Sequence, residues 1–475
     1  MSVAIVGGGP TGLMAACELA LAGVDCTLVE KRATEPNITR AFVLHARALE
    51  ILDARGLADP LVKAGHPLPR PRTEYLGEID LTEMDTRFPM MLLVPQNGTE
   101  QVLTRRALEL GVRIVRGAEV VSLEQDVDEA RLGLTDGTRL RASYVVGADG
   151  AHSTVRELLG VGFVGERYSV PMVLADVRIP ELDGLAAPIS QAGPEGVVVT
   201  LPFGDGWFRV GYWLSQEPAS ADDPAPDIDQ IRAVFTRIAG TDHGMTGPRW
   251  ISRFVSQRRQ AERYRAGRVF LAGDAAHVNS PIGGQGMNTG LQDAANLGWK
   301  LAATHNGWAP SWLLDSYHTE RHPVGERTLA LTDRLTRSVV HRSRLSGLAT
   351  RGLIEVIGHI GPMRRRLLSQ VTGLGIAYPA AESGAHRLAG HRAPDWDTET
   401  GRLYEQLRDG KFVLAGAAET IAVRQDTVAR VGRPRGKASP ATALIRPDGY
   451  IAWASDRIDA AQQQQALTDW CGAAR

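Results

Sequence analysis

Val3-Ala4-Ile5-Val6 runs straight into Gly7-Gly8-Gly9-Pro10-Thr11-Gly12, and this junction constrains the chain more than any other feature. Four consecutive apolar residues suit a strand buried on both faces of a parallel sheet. Leu13 to Ala22 then reads as a helix stopped by Gly23, and Asp25 to Val29 as a second strand closed by Glu30. Gly7, Gly9 and Gly12 have the GxGxxG spacing. The first permits a tight turn, the second lets a pyrophosphate approach the backbone, and the third lets helix and strand pack closely. The helix N-terminus adds free N–H groups and positive partial charge. Glu30, 18 residues beyond Gly12, stands where an acid accepts hydrogen bonds from a ribose. Its charge repels a 2′-phosphate, so the tightly held dinucleotide is expected not to be NADP.

Two later segments repeat the design of an apolar strand ending in an acid-bearing turn. Tyr144-Val145-Val146-Gly147 leads to Ala148-Asp149-Gly150, and Val269-Phe270-Leu271 leads to Ala272-Gly273-Asp274. Such turns fall at the C-terminal edge of a parallel sheet, where ligands bind. Asp274 is placed to accept a hydrogen bond from a polyol hydroxyl such as a ribityl chain.

Composition narrows the class. In 475 residues, Lys+Arg 53 nearly cancels Asp+Glu 54, so no global field recruits nucleic acid or an anionic membrane. Arg364-Arg365-Arg366 reads as a solvated face. Cys17, Cys26 and Cys471 form no CxxC pair, which argues against a disulfide scaffold, a zinc knuckle or a dithiol centre and points to a reducing cytoplasm. The apolar N-terminus lacks a basic leader and is broken by glycines and Glu18, so export is not expected. No apolar run is long enough to span a bilayer.

Taken together, GGGPTG, VGADGAHSTVR and GRVFLAGDAAHVNSPIGGQGMNTGLQDAANLGWKLA resemble the aromatic-hydroxylase branch of the class A flavoprotein monooxygenases, above all polyketide-tailoring hydroxylases and rifampicin monooxygenases of actinobacteria. LHARALEIL, Val94-Pro95-Gln96, LLDSYHTERHPV and ALIRPDGYIAWAS extend the likeness along nearly the whole chain. The resemblance implies an α/β protein: a Rossmann-like FAD-binding domain of the glutathione-reductase type, an inserted β-sheet substrate domain and a C-terminal thioredoxin-like domain. It also implies tight, non-covalent FAD, NADPH as a transient co-substrate, and oxygen. A large aromatic substrate of polyketide or ansamycin type would be hydroxylated through a flavin C4a-hydroperoxide. Location would be cytoplasmic, and a homodimer stays possible.

Carried over residue by residue, the resemblance puts Thr11 and Gly12 against the pyrophosphate and Glu30 on the adenosine ribose, with Lys31 beside it. Arg40 and Gln96 would lie along the phosphate and flavin side, Val120 would touch the adenine by its backbone, and Thr154 would sit close by. Asp149 belongs to a motif linked to both FAD and NADPH. Asp274 would contact the ribityl or pyrophosphate region, while Gly286, Met287 and Asn288 would approach the isoalloxazine, the latter two by backbone N–H. These precede an expected helix from Leu291 to Ala303, whose N-terminus would stabilise reduced flavin by about 0.3–1 kcal/mol. Phe42 and Pro281 are candidates for lining the substrate pocket. Val43 stands where relatives often have glycine and Phe42 where they vary, so both either pack in the core or reshape the pocket rim. No catalytic acid or base is assigned; His45 and His277 qualify by residue type only.

The expected FAD domain is discontinuous, roughly 1–67, 98–165 and 258–345, with 68–97 and 166–257 forming the substrate domain. Residues 346–384 are expected as a helical linker and 385–475 as a thioredoxin-like domain without CxxC. Helices are expected within Leu313 to Leu345 and Gly352 to Val371. His318 and His322 lie four apart without completing HExxH, so they read as structural and no metal is expected. The nine tryptophans include no WxWxIP, which sets a flavin halogenase apart. Baeyer–Villiger oxygenation on the same scaffold and a non-catalytic flavin- or ligand-binding protein remain alternatives.

Overall fold

Parallel pairing places the acid-bearing turns together. The computed structural model describes residues 2–34, 41–73, 77–184, 188–203, 205–214, 224–340, 361–380, 385–436 and 439–472. Its central sheet has the order Arg265–Ala266, Val269–Leu271, Tyr144–Gly147, Val3–Val6, Cys26–Glu30, Arg113–Arg116. All neighbours are parallel except the first, antiparallel edge strand. Val6 lies opposite both Val29 and Gly147, and Gly147 lies opposite Leu271. This register brings Gly7, Glu30, Asp149 and Gly273-Asp274 to one edge. The apolar strand runs serve that purpose: Val3 and Ile5 are fully buried.

The first helix spans Pro10–Leu21, with proline where its missing N–H costs nothing. It packs against the long helix Gln285–His305. That long helix begins at Gln285 rather than at the expected Leu291. Its N-cap, Gly284, is left-handed, with φ +62°. The expected helices beyond Leu313 are observed over Ser316–Val340 and Gly361–Val371; residues 341–360 lie outside the described residues. Within 68–97, Met91–Leu93 pairs with Val43–Leu44 and with His66–Leu68.

A second six-stranded sheet, ordered Ile189–Ala192, Gly196–Pro202, Trp207–Leu214, Phe163–Arg178, Thr246–Ala261, His277–Val278, is antiparallel throughout. Side chains alternate between faces along each strand. Val173, Ala175, Val210 and Tyr212 face the helix Ile228–Ala239. Met172, Leu174 and Trp213 occupy the opposite face, where they pack with Trp250, Phe254 and Ile282. Ile282 belongs to the loop just before the long helix, so this face is turned toward the central-sheet unit.

The C-terminal part forms a four-stranded sheet, Val428–Val431, Phe412–Ala415, Thr442–Ile445, Ile451–Ser455, followed by the helix Ala460–Cys471. Its core includes Phe412, Leu444 and Trp470 together with Trp299 and Ala303 of the long helix, so the two units share apolar packing. A buried ionic cluster joins them as well. Arg446 donates to both oxygens of Glu320 at 2.8 and 2.9 Å and to Asp448 at 3.0 Å, and Lys300 Nζ reaches Glu320 at 2.8 Å. Burial pulls Lys300 down to about 8 despite the attraction of Glu320. Among the described residues no helix is long and apolar enough to cross a membrane.

Candidate active site

The glycines of the first turn have three different surroundings. Gly7 has φ +108°, and a Cβ there would lie 2.3 Å from the Ala148 carbonyl oxygen. A Cβ on Gly12 would lie 2.0 Å from the Gly7 oxygen, so only glycine lets helix and strand approach this closely. A Cβ on Gly9 would meet nothing within 4 Å, which leaves open space beside the helix N-terminus. Thr11 and Gly12 lie in the first turn, where N–H groups have no intrahelical acceptor; Leu13 is the first to bond back, to the Gly9 carbonyl at 3.0 Å. A cradle of bare backbone with no Cβ at its mouth fits a diphosphate.

Glu30 closes the second strand with its side chain buried. Its carboxylate accepts from Gly8 N–H at 2.6 Å, Arg32 N–H at 2.9 Å and Arg32 Nε at 2.7 Å. Burial opposes ionisation, but the Arg32 side chain and these backbone donors outweigh it and hold the carboxyl below its ordinary range. Arg32 escaped the sequence reading. Lys31 points outward toward Glu119 at 3.7 Å. Val120 is buried at the start of the strand Val120–Gln125, close to Glu30, whose carbonyl accepts from Ala118 N–H.

Asp149 turns its carboxylate onto the short helix Thr154–Leu158, accepting from the Ser153 hydroxyl and from Val155 N–H at 3.1 Å. Burial raises its carboxyl, and those donors offset only part of the rise. Thr154 heads this helix. Arg156 binds the Ala275 carbonyl at 3.0 Å and the Ala151 carbonyl at 3.0 Å, tying the Asp149 turn to the Asp274 turn.

Asp274 is exposed and faces the N-terminus of the long helix: a Cβ on Gly286 would lie 3.7 Å from its Oδ1. Gln285, Gly286 and Met287 form the first turn, where N–H groups lack intrahelical acceptors. Asn288, one residue further, is placed for its N–H to bond back to Gly284. Its side chain joins the strand Val43–Leu44 to the loop, accepting from His45 N–H at 2.8 Å and donating to Val43 O at 2.9 Å and Gly284 O at 2.7 Å. His45 Nε2 also lies 2.8 Å from the Gly283 carbonyl, and burial holds its imidazole below the usual range. Pro281 is exposed in the same loop, its carbonyl accepting from Gly284 N–H.

Val43 packs in the core with Leu68 and Leu93, directly behind Gly284. Phe42 reaches the antiparallel sheet instead: its ring meets Phe203 edge-on at 6.4 Å and lies under Arg209 at 5.3 Å. Gln96 braces this stretch, accepting from Ala41 N–H at 3.0 Å and donating to Glu100 at 2.8 Å. Arg40 lies outside the described residues. His318 and His322 pack against Tyr264, and among the described residues no group of His, Cys, Asp or Glu could hold a metal.

The site is thus a dinucleotide cradle that opens beside an apolar, partly aromatic sheet face. A family model described as an FAD binding domain matches residues 1–332, and one described as aromatic-ring hydroxylase, C-terminal, matches residues 386–474. The chain belongs to the FAD-dependent aromatic-ring hydroxylases. It is 40% identical to a rifampicin monooxygenase of Streptomyces venezuelae over 99% of both chains. Among solved structures it resembles the anhydrotetracycline hydroxylase OxyS of Streptomyces rimosus, with TM-score 0.87, 36% identity and coverage of 100% of this chain and 99% of that one. It also resembles the Diels-Alderase PyrE3 of pyrroindomycin biosynthesis, with TM-score 0.86, 34% identity and full coverage of both chains.

Proposed function

We propose that this FAD-dependent monooxygenase hydroxylates a large, electron-rich aromatic compound of polyketide or ansamycin type, with NADPH as electron donor. The observation that carries the reading is the sheet face of Met172, Leu174, Trp213, Trp250 and Phe254, turned toward Ile282 in the loop heading the long helix. An apolar, aromatic-lined wall beside a redox cofactor suits a flat, extended ring system. The rifampicin and anhydrotetracycline relatives support the substrate class.

In this reading Gly7, Gly9, Thr11 and Gly12 hold the pyrophosphate, Glu30 the ribose and Val120 the adenine edge. Asp149 and Thr154 shape the adjoining wall, with Gln96 on the flavin side. Asp274 takes the ribityl hydroxyls, and the first turn of Gln285–His305, including Gly286 and Met287, offers N–H groups and positive partial charge to the ring. Bound FAD supplies the activation of oxygen; the protein orients the substrate and keeps water away. Phe42, Pro281 and Ile282 form the pocket rim. One dinucleotide fingerprint for two nucleotides leaves NADPH to a transient surface groove. The test is a panel of polycyclic phenols and ansamycins incubated with enzyme, NADPH and oxygen. A ring-hydroxylated product with one added oxygen supports the reading. An ester or lactone indicates Baeyer–Villiger chemistry, and no oxygenated product refutes the substrate class.

A further inference from the structure

Asp293, one turn beyond Gly290 on the long helix, is fully buried and holds three donors, two from the segment Gly273 to His277 before it and one from the helix after it. Its Oδ2 accepts from Gly273 N–H at 3.1 Å and lies 2.6 Å from His277 Nε2, while its Oδ1 accepts from Arg321 Nε at 2.7 Å. His277 is 1% exposed, and Asp293 and Arg321 are 0% exposed. Gly273 is the residue before Asp274 and is left-handed, with φ +60°. The carboxylate therefore grips the Gly-Asp turn by its backbone.

Arg321 is itself held from the far side. It donates to the Tyr378 hydroxyl at 3.0 Å and to the Thr289 carbonyl at 3.2 Å. Tyr378 stacks on Tyr450, at the start of the C-terminal hairpin strand, with ring centroids 4.2 Å apart. An unbroken line of contacts thus runs from the C-terminal unit through Tyr378, Arg321 and Asp293 to the turn bearing Asp274.

We propose that Asp293 is a positioning residue for FAD, acting through the Gly273-Asp274 turn. A buried carboxylate with three good donors is rigid, because any rotation strands a charge or a donor in an apolar interior. Asp274 follows Gly273 directly, so the anchor on the Gly273 N–H fixes the backbone from which its carboxylate projects. His277 and Arg321 hold the carboxylate ionised and fixed, and Asp293 transmits that fixity one peptide away from the flavin contact. The inference rests on the reading of Asp274 as an FAD contact.

The test is a double-mutant cycle on FAD affinity, by titration of apoprotein, with Asp293→Asn, Asp274→Ala and the pair. Apoprotein melting reports folding separately. Each single change is expected to raise the Kd about tenfold or more, the scale of a lost hydrogen bond to a charged group. The pair is expected to raise it clearly less than the product of the two, since the residues act in series. If Asp293→Asn apoprotein does not fold, Arg321→Lys takes its place in the cycle, keeping the charge but losing the fixed fork. An unchanged Kd for Asp274→Ala overturns the reading of Asp274 and this inference with it. A weakened Asp274→Ala combined with an unaffected or strictly multiplicative second variant overturns the inference alone.

Discussion

Thr11 and Gly290 meet where the two principal helices cross: a Cβ on Gly290 would lie 2.2 Å from Thr11 Oγ1. The same threonine borders Gly273, whose Cβ would lie 2.5 Å from Oγ1. The first helix, the long helix and the Asp274 turn therefore converge on one hydroxyl.

Gly290→Ala is expected to destabilise the protein by about 1–3 kcal/mol, the cost of overpacking a tight core, and to weaken FAD binding. Thr11→Ala in the same chain removes the obstructing hydroxyl and should restore part of the stability. Melting of the single and double variants checks this; additive losses would show that the two residues do not share the crossing.

Purified protein is expected to be yellow with FAD that is released on denaturation. The basis is the open, Cβ-free mouth at Gly9 beside Glu30, which is built for a dinucleotide carrying a free ribose 2′-hydroxyl. Chromatography of the released chromophore checks it. FMN or a covalently retained flavin would contradict it.

Much of this site was legible in the sequence because its signals are local. Apolar runs of four residues followed by glycine or acid identify parallel strands and their edge, and register did the rest. The long helix was read as starting six residues too late. Gly284, Gly286 and Gly290 depress intrinsic helix propensity, and the first turn is held instead by Asn288 bonding to Val43 and His45, some 240 residues away. The role of Asp293 was hidden for the same reason, since its partners come from the turn before and the helix after. An acid inside the expected helix Leu291 to Ala303 was the available signal. Whether Phe42 faced core or pocket depended on Phe203 and Arg209 in the inserted sheet, which no local pattern encodes.

Breaking the buried ionic cluster should loosen the C-terminal unit. Arg446→Met removes the guanidinium from both Glu320 and Asp448 and leaves Lys300 on Glu320, and a broken buried pair typically costs about 3–5 kcal/mol. Denaturant unfolding followed by tryptophan fluorescence measures it. A loss below about 1 kcal/mol, the scale of a surface pair, would show that the cluster is not a clamp.

His45 makes stability sensitive to acid. Burial lowers its folded-state pKa, while the unfolded chain binds its proton near the ordinary value of about 6.5. Below that value the unfolded state holds more protons, so stability falls as pH drops from about 6.5 toward the lower folded-state pKa. His45→Gln should flatten this part of the curve relative to the parent. Unfolding titrations at about pH 7.5 and about pH 5.5 check it, and an equal loss in both proteins assigns the acid sensitivity elsewhere.

The central claim, oxygen insertion into an aromatic ring by an FAD enzyme, is tested most directly with isotopic oxygen. A phenolic polyketide that stimulates NADPH oxidation is turned over under oxygen-18 gas, and the product is read by mass spectrometry. Incorporation of a single oxygen-18 atom on the ring, dependent on NADPH and lost in protein stripped of FAD, is the predicted result. A product that gains no oxygen from the gas, such as a cyclised isomer of the substrate, would contradict it.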